Sequence, residues 1–145
     1  MKFFNARVWL IIFGVMVLLG GTLNAIAAES VAQDAWGGVD GQALDVASAV
    51  EVAWGSILAV WGASVIVIAS SLQHTRGRAR FGAISVVAVF LSQIVAVGAL
   101  SNLGYGEGGG PGFAIAVPLI IAIITLISCI RDWNATTAST PEPAA

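Results

Sequence analysis

Long apolar runs alternate with short polar segments along the chain, and this alternation predicts the main structural elements. Four runs consist almost entirely of apolar and small residues, at 8–28, 52–72, 81–103 and 113–130. A helix needs about 20 apolar residues to cross a bilayer, because the hydrocarbon core is roughly 30 Å thick and each residue rises about 1.5 Å. The pattern therefore predicts an all-α, integral membrane four-helix bundle that forms a single membrane domain over 1–133.

The composition argues against a water-soluble fold. Only 10% of the residues are charged and 58% are hydrophobic, whereas soluble domains have about 25% and 45–50%. The mean hydropathy is +0.93. Four spans and three connections leave no room for a separate soluble domain. The final segment, 134–145, is rich in Thr, Ser, Pro and Ala, and we predict a disordered tail there.

The basic residues are distributed so that one orientation accounts for all of them. The polar stretch 73–80 carries three of the six. If this stretch is cytoplasmic, the parity of the spans places every basic residue inside, as the positive-inside rule requires. We therefore expect both termini to be cytoplasmic, in a plasma membrane of bacterial type. The six residues are Lys2, Arg7, Arg76, Arg78, Arg80 and Arg131.

The first run has a second interpretation. A basic start, an apolar segment and the small-residue site at Ala25, Ile26 and Ala27 are typical of a signal peptide. However, the apolar run continues long enough to span, and we favour an uncleaved first helix. Cleavage would leave three spans, with the orientation of the rest unchanged.

The second span carries the clearest packing pattern. Its helix formers begin at about Gly41, so the helix is expected to start before the membrane. Small residues recur along one stripe, which lets helix backbones approach closely in lipid. We predict that this helix is the central packing element, whether within the chain or between chains. The stripe consists of Ser48, Val52, Gly55, Ala59, Gly62, Ile66 and Ala69.

Three polar residues are candidates for a coupling site. Glu51 lies at the outer mouth of the predicted bundle and could couple protons or cations, since ionisable groups in spans are often functional. Its alternative role is an interfacial acid near a helix N-terminus. Gln93 lies close to mid-membrane and, with Asn24, could line a polar path. The alternative for Gln93 is a hydrogen bond between helices.

The arginines of the polar stretch suggest contact with lipid. Arg76, Arg78 and Arg80 could bind anionic lipid headgroups, at about 1 kcal/mol per basic residue near the surface. Nucleic acid is not expected, because no aromatic platform accompanies them. Cys129 is predicted to be a small packing residue. No catalytic, metal-binding or cofactor motif is present in the sequence, so we expect neither an enzyme nor a cofactor.

The layout resembles the small four-helix membrane proteins of the DoxX-like group. The features that carry the resemblance are four spans, an Ala- and Gly-rich second span over 53–62, and an arginine-containing turn into the third. This resemblance implies a fold more than an activity, and it assigns no catalytic residue.

Two functions follow from these observations. The first is a structural or accessory membrane protein that packs with itself or with a larger membrane complex. The alternative is a small oligomeric proton-coupled transporter that uses Glu51, by analogy with small multidrug resistance proteins. That family has a carboxylate within its first span, whereas 8–28 here contains no charge.

Overall fold

The computed structural model describes residues 4–104 and 112–137, and it describes side chains over 4–104 and 116–135. Within these ranges all regular secondary structure is helical, with five helices: α1 Ala6–Ile26, α2 Ala28–Ala35, α3 Gly41–Ser71, α4 Thr75–Asn102 and α5 Gly112–Thr137. Four of them (α1, α3, α4 and α5) contain stretches long and apolar enough to cross a membrane. The first part of the expected tail, 134–137, is helical, and 138–145 lies outside the described residues.

The helix boundaries follow from local chemistry. The side chain of Asn5 caps α1 by accepting a hydrogen bond from the Arg7 amide at 2.9 Å. Gly37 and Gly38 have φ of 78° and 76°, a conformation that glycine adopts without strain, and they end α2. The helix α3 begins at Gly41, as predicted. The helix α4 begins at Thr75, so most of the polar stretch 73–80 is helical rather than a loop.

The helix at the centre of the packing is α1, and not α3 as predicted. In the described part of the chain, α1 contacts all four other helices, whereas α3 lies mainly against α1 and α2 and does not contact α5. The physical reason is that α1 lies between the other helices, since its glycines meet α3 and its Leu10 meets Gly82 of α4. Leu10 and Phe13 are completely buried, and Val17 nearly so.

The predicted small-residue stripe of α3 packs within the chain. It meets glycines of α1 so closely that the two backbones touch. A Cβ atom built on Gly21 would lie 2.5 Å from the backbone oxygen of Gly55, and a Cβ on Gly55 would lie 2.6 Å from the Gly21 oxygen. One heptad away, Gly62 packs against the backbone of Gly14 and Leu18 in the same manner. A methyl group at these positions would force the helices apart.

The other half of the core joins α1, α4 and α5. Gly82 of α4 faces the side chains of Leu10 and Cys129; a Cβ atom at Gly82 would lie 2.7 Å from the Cys129 sulfur. Cys129 is fully buried, as expected of a packing residue. The helices α1 and α3 run antiparallel, and so do α4 and α5. The chain therefore has one end with the start of α1 and another with the start of α3.

Candidate functional site

A polar cluster lies where α1, α2 and α3 meet. The Asn24 side-chain nitrogen donates to the Glu51 Oε2 at 2.8 Å and to the Glu51 backbone oxygen at 3.0 Å. The Trp36 indole nitrogen donates to the Glu51 Oε1 at 2.9 Å. Each oxygen of the carboxylate thus accepts a hydrogen bond from a different helix segment. This cluster contains two of the predicted polar residues, Asn24 and Glu51.

The local fold explains why these side chains meet. The helix α3 extends several turns ahead of the apolar part of its span, and the short helix α2 packs against this extension. The turn at Gly37 and Gly38 follows α2 directly and places Trp36, the C-terminal cap of α2, beside α3. Asn24 reaches Glu51 because close glycine contacts at Gly21 and Gly55 bring α1 and α3 together one turn away.

This geometry makes Glu51 a cross-link between three helix segments. An ionised carboxylate only accepts hydrogen bonds, and hydrogen bonds to a charged group are roughly twice as strong as neutral ones. Glu51 is half-buried, so these bonds are partly shielded from water. A coupling carboxylate has to exchange its partners during each cycle. Glu51 instead has both oxygens engaged by an amide and an indole that hold three helices together.

Gln93 does not join this cluster. It lies half-buried on α4, and in the described part of the chain it makes no hydrogen bond with Asn24 or Glu51. Asn24 has its partner on α3 instead.

A second group of polar contacts lies at the opposite end of the molecule. The Arg7 guanidinium donates to the Ser70 backbone oxygen at 3.3 Å, and Arg78 donates to the Leu72 oxygen at 2.8 Å. Both acceptors lie at the end of α3, where helix carbonyls lack intrahelical partners. These arginines therefore bind the end of α3.

The other two arginines of the polar stretch point elsewhere. Arg76 and Arg80 are exposed. The Arg80 guanidinium stacks over the Trp133 ring of α5, with 4.9 Å to its centroid, a distance at which cation and ring attract. The predicted headgroup residues thus divide into Arg78, which caps α3, and the exposed pair Arg76 and Arg80.

The contacts of some residues were not predicted from the sequence. Trp36 was not singled out, although an indole N–H that is partly removed from water usually requires an acceptor. Asp132 was not singled out, yet its Oδ2 accepts a hydrogen bond from the Ala6 amide at 3.1 Å. The partners of the α3 stripe could have been found: Gly14 and Gly21 repeat the seven-residue spacing of the glycines in α3.

In the part of the chain with described side chains, no group of three or more His, Cys, Asp or Glu residues could hold a metal ion. No protein-family model, curated protein or solved structure matches this chain.

Proposed function

We propose that this chain is a multi-pass membrane protein of structural or accessory type, with both termini cytoplasmic in a bacterial plasma membrane. It would pack as a helical bundle and associate with itself or with a larger membrane complex. Four long apolar helices support the membrane assignment. The DoxX-like affiliation is part of the same proposal, on the basis of the four helices and the Ala- and Gly-rich α3.

The separation of charge between the two ends supports the orientation. We call one end the basic end and the other the acidic end. Since positive residues are retained in the cytoplasm during insertion, the basic end would be cytoplasmic. The basic end contains Arg7, Arg76, Arg78, Arg80 and Arg131, with Asp132 the acid among its described residues; the acidic end contains Glu29, Asp34, Asp40, Asp45 and Glu51.

The bonding of Glu51 carries the structural assignment. In the transporter hypothesis this carboxylate would bind and release protons. Its two oxygens are instead occupied by Asn24 and Trp36, a contact that ties α1 and α2 to α3. We infer that the main role of Glu51 is to stabilise the bundle.

The substitution Glu51→Gln separates the two hypotheses. It keeps one acceptor oxygen and replaces the other with an NH2 group that cannot accept, so either Asn24 or Trp36 loses its acceptor. For a structural role, we expect a lower melting temperature in detergent and no change in proton flux across reconstituted vesicles. The loss should correspond to about 1.5–3 kcal/mol, the range for a hydrogen bond to a charged group.

Asp45→Asn is the matched control, because Asp45 is an exposed acid on the same helix. It should change neither quantity. A wild-type proton flux that Glu51→Gln abolishes, with the melting temperature unchanged, would instead establish the transporter.

Extraction of the tagged protein in mild detergent tests whether it associates with itself or with other subunits. The mass and composition of the recovered complex are measured. Other subunits in a fixed ratio would support an accessory role, and a discrete homo-oligomer would support association with itself. A monomer under several mild extraction conditions would contradict both forms of association.

A further inference from the structure

An apolar groove runs between α4 and α5, away from the α1–α3 contact. It encloses about 330 Å³, and its wall is almost entirely hydrocarbon. On α4 the groove covers the turns from 86 to 94, which is about 12 Å along the helix axis. The lining residues are Val86, Val87, Phe90, Leu91, Ile94, Leu119, Ala122, Ile123 and Leu126.

The exposed arginines lie on the helix face that lines this groove. Steps of four, seven, eleven and fourteen residues return to nearly the same side of a helix. Counted from Arg80, these steps reach Ile84, Val87, Leu91 and Ile94, all exposed apolar residues. Arg76 lies one turn before Arg80 on the same side. This face of α4 is therefore cationic at the basic end and apolar beyond it.

The helix α5 carries an aromatic residue at the basic end of its groove-lining face. Trp133 follows the groove residue Leu126 by seven residues, so the two share a face of α5. The stacking of Arg80 on Trp133 at 4.9 Å joins the two helices at the foot of the groove. A guanidinium stacked on a ring keeps its N–H groups at the edge, where they can donate to an anion. Arg78, in contrast, is bound to the end of α3.

We propose that the α4–α5 groove binds one acyl chain of an anionic phospholipid, whose phosphate is held by Arg80 and Arg76. The dimensions fit this ligand. The groove begins about 9 Å from Arg80 and ends about 21 Å from it, whereas one leaflet contributes about 15 Å of hydrocarbon. A lipid with its headgroup at Arg80 thus places the distal part of its chain beside Val87 and Leu91. The complementary charge selects an anionic headgroup.

This inference rests on the proposed membrane insertion but goes beyond the structural role. If the chain does not insert in membranes, it binds neither type of lipid. If it inserts but lacks this site, any preference for anionic lipid comes from its basic residues together, and it depends no more on Arg80 than on Arg131.

The test is native mass spectrometry of the full-length protein with dioleoyl phosphatidylglycerol and dioleoyl phosphatidylcholine, which have the same chains and different charge. The wild-type protein should prefer phosphatidylglycerol by at least about fivefold, and Arg80→Gln should reduce that affinity by about fivefold, the effect of one basic residue near the surface. Arg131→Gln removes the same charge from a different face of α5 and should leave the preference intact. Equal losses in the two variants would overturn the proposal, because diffuse charge would then account for the binding.

A second pair of variants tests the groove itself. Val87→Phe places a ring in the groove and removes the space for the acyl chain. It should therefore weaken the binding of both lipids by a similar factor. Val60→Phe adds the same ring to an exposed position on α3, which does not line the groove, and should not weaken the binding of either lipid. Indistinguishable effects of the two variants would contradict acyl binding in the groove. A change of oligomeric mass on Val87→Phe, with lipid binding intact, would also contradict it and would assign the groove to a second copy of the chain.

Discussion

Two adjacent glycines in α1 have opposite surroundings. A Cβ atom on Gly21 would lie 2.5 Å from backbone atoms of both Gly55 and Ala59, whereas one on Gly20 would meet nothing within 4 Å. The same substitution at these two positions therefore separates the effect of helix propensity from that of packing. Alanine favours a helix over glycine by about 1 kcal/mol, and a methyl group in a filled contact costs about 1–3 kcal/mol.

We expect Gly21→Ala to lower the free energy of unfolding and Gly20→Ala to leave it unchanged or raise it. Thermal unfolding of the two purified variants in the same detergent measures the difference. Equal melting temperatures would mean that α1 and α3 are not in backbone contact, contrary to the fold described above.

At the scale of the element, α1 is a part of the bundle whose removal would expose the close-packed face of α3. The structure places Leu10, Phe13 and Val17 of α1 among the buried core residues. A bundle without α1 would present Gly55 and Gly62 to lipid with no partner at contact distance. This packing favours the uncleaved first helix over the signal-peptide alternative.

We therefore expect the mature protein to retain α1. Intact mass spectrometry of the protein, expressed with a C-terminal tag and isolated from membranes, measures this directly. A mass lower by that of residues 1–27 would show cleavage after Ala27. It would contradict the assignment of α1 to the mature bundle.

The elements differ in how well the sequence predicts them. The beginning of α3 at Gly41 was predictable, because the helix formers Gln42, Ala43 and Leu44 follow directly after it. The short helix α2 was missed, since Ala28–Ala35 is neither long nor strongly apolar and is held by packing against α3. The extension of α4 back to Thr75 was not predicted, because it lies ahead of the apolar run and contains Arg76 and Arg78.

The cluster around Glu51 was predictable only in part. The sequence identified Glu51 and Asn24 as unusual polar residues in apolar surroundings. It could not pair them, since they are 27 residues apart and their meeting depends on how α1 and α3 align. That alignment is set by backbone contacts between glycines, which no single-residue property reveals. The central place of α1 was missed for the same reason.

At the scale of the whole molecule, the orientation that we propose in the membrane rests on the charge of the two ends. Asp40 lies at the acidic end and Gln73 at the basic end, and both are exposed. We expect a cysteine introduced by Asp40→Cys to react with a membrane-impermeant maleimide in intact cells. A cysteine introduced by Gln73→Cys should react only after permeabilisation.

The unmodified chain is the control for this labelling, because its cysteine, Cys129, is fully buried. Labelling of the Gln73→Cys variant in intact cells, without labelling of Asp40→Cys, would reverse the proposed orientation.

The bond from the Ala6 amide to Asp132, across 126 residues, has a consequence for how the protein is made. The first turn of α1 has backbone amides without intrahelical acceptors, and a carboxylate near a helix N-terminus is favourable. A ribosome that synthesises the chain from its N-terminus releases α1 and α3 early, and their glycine contact can form at once. The acceptor for Ala6 emerges only with the end of α5. The helix that leaves the ribosome first is thus among the last to form all of its hydrogen bonds. In a nascent chain that stalls before α5, the Ala6 amide lacks its Asp132 acceptor.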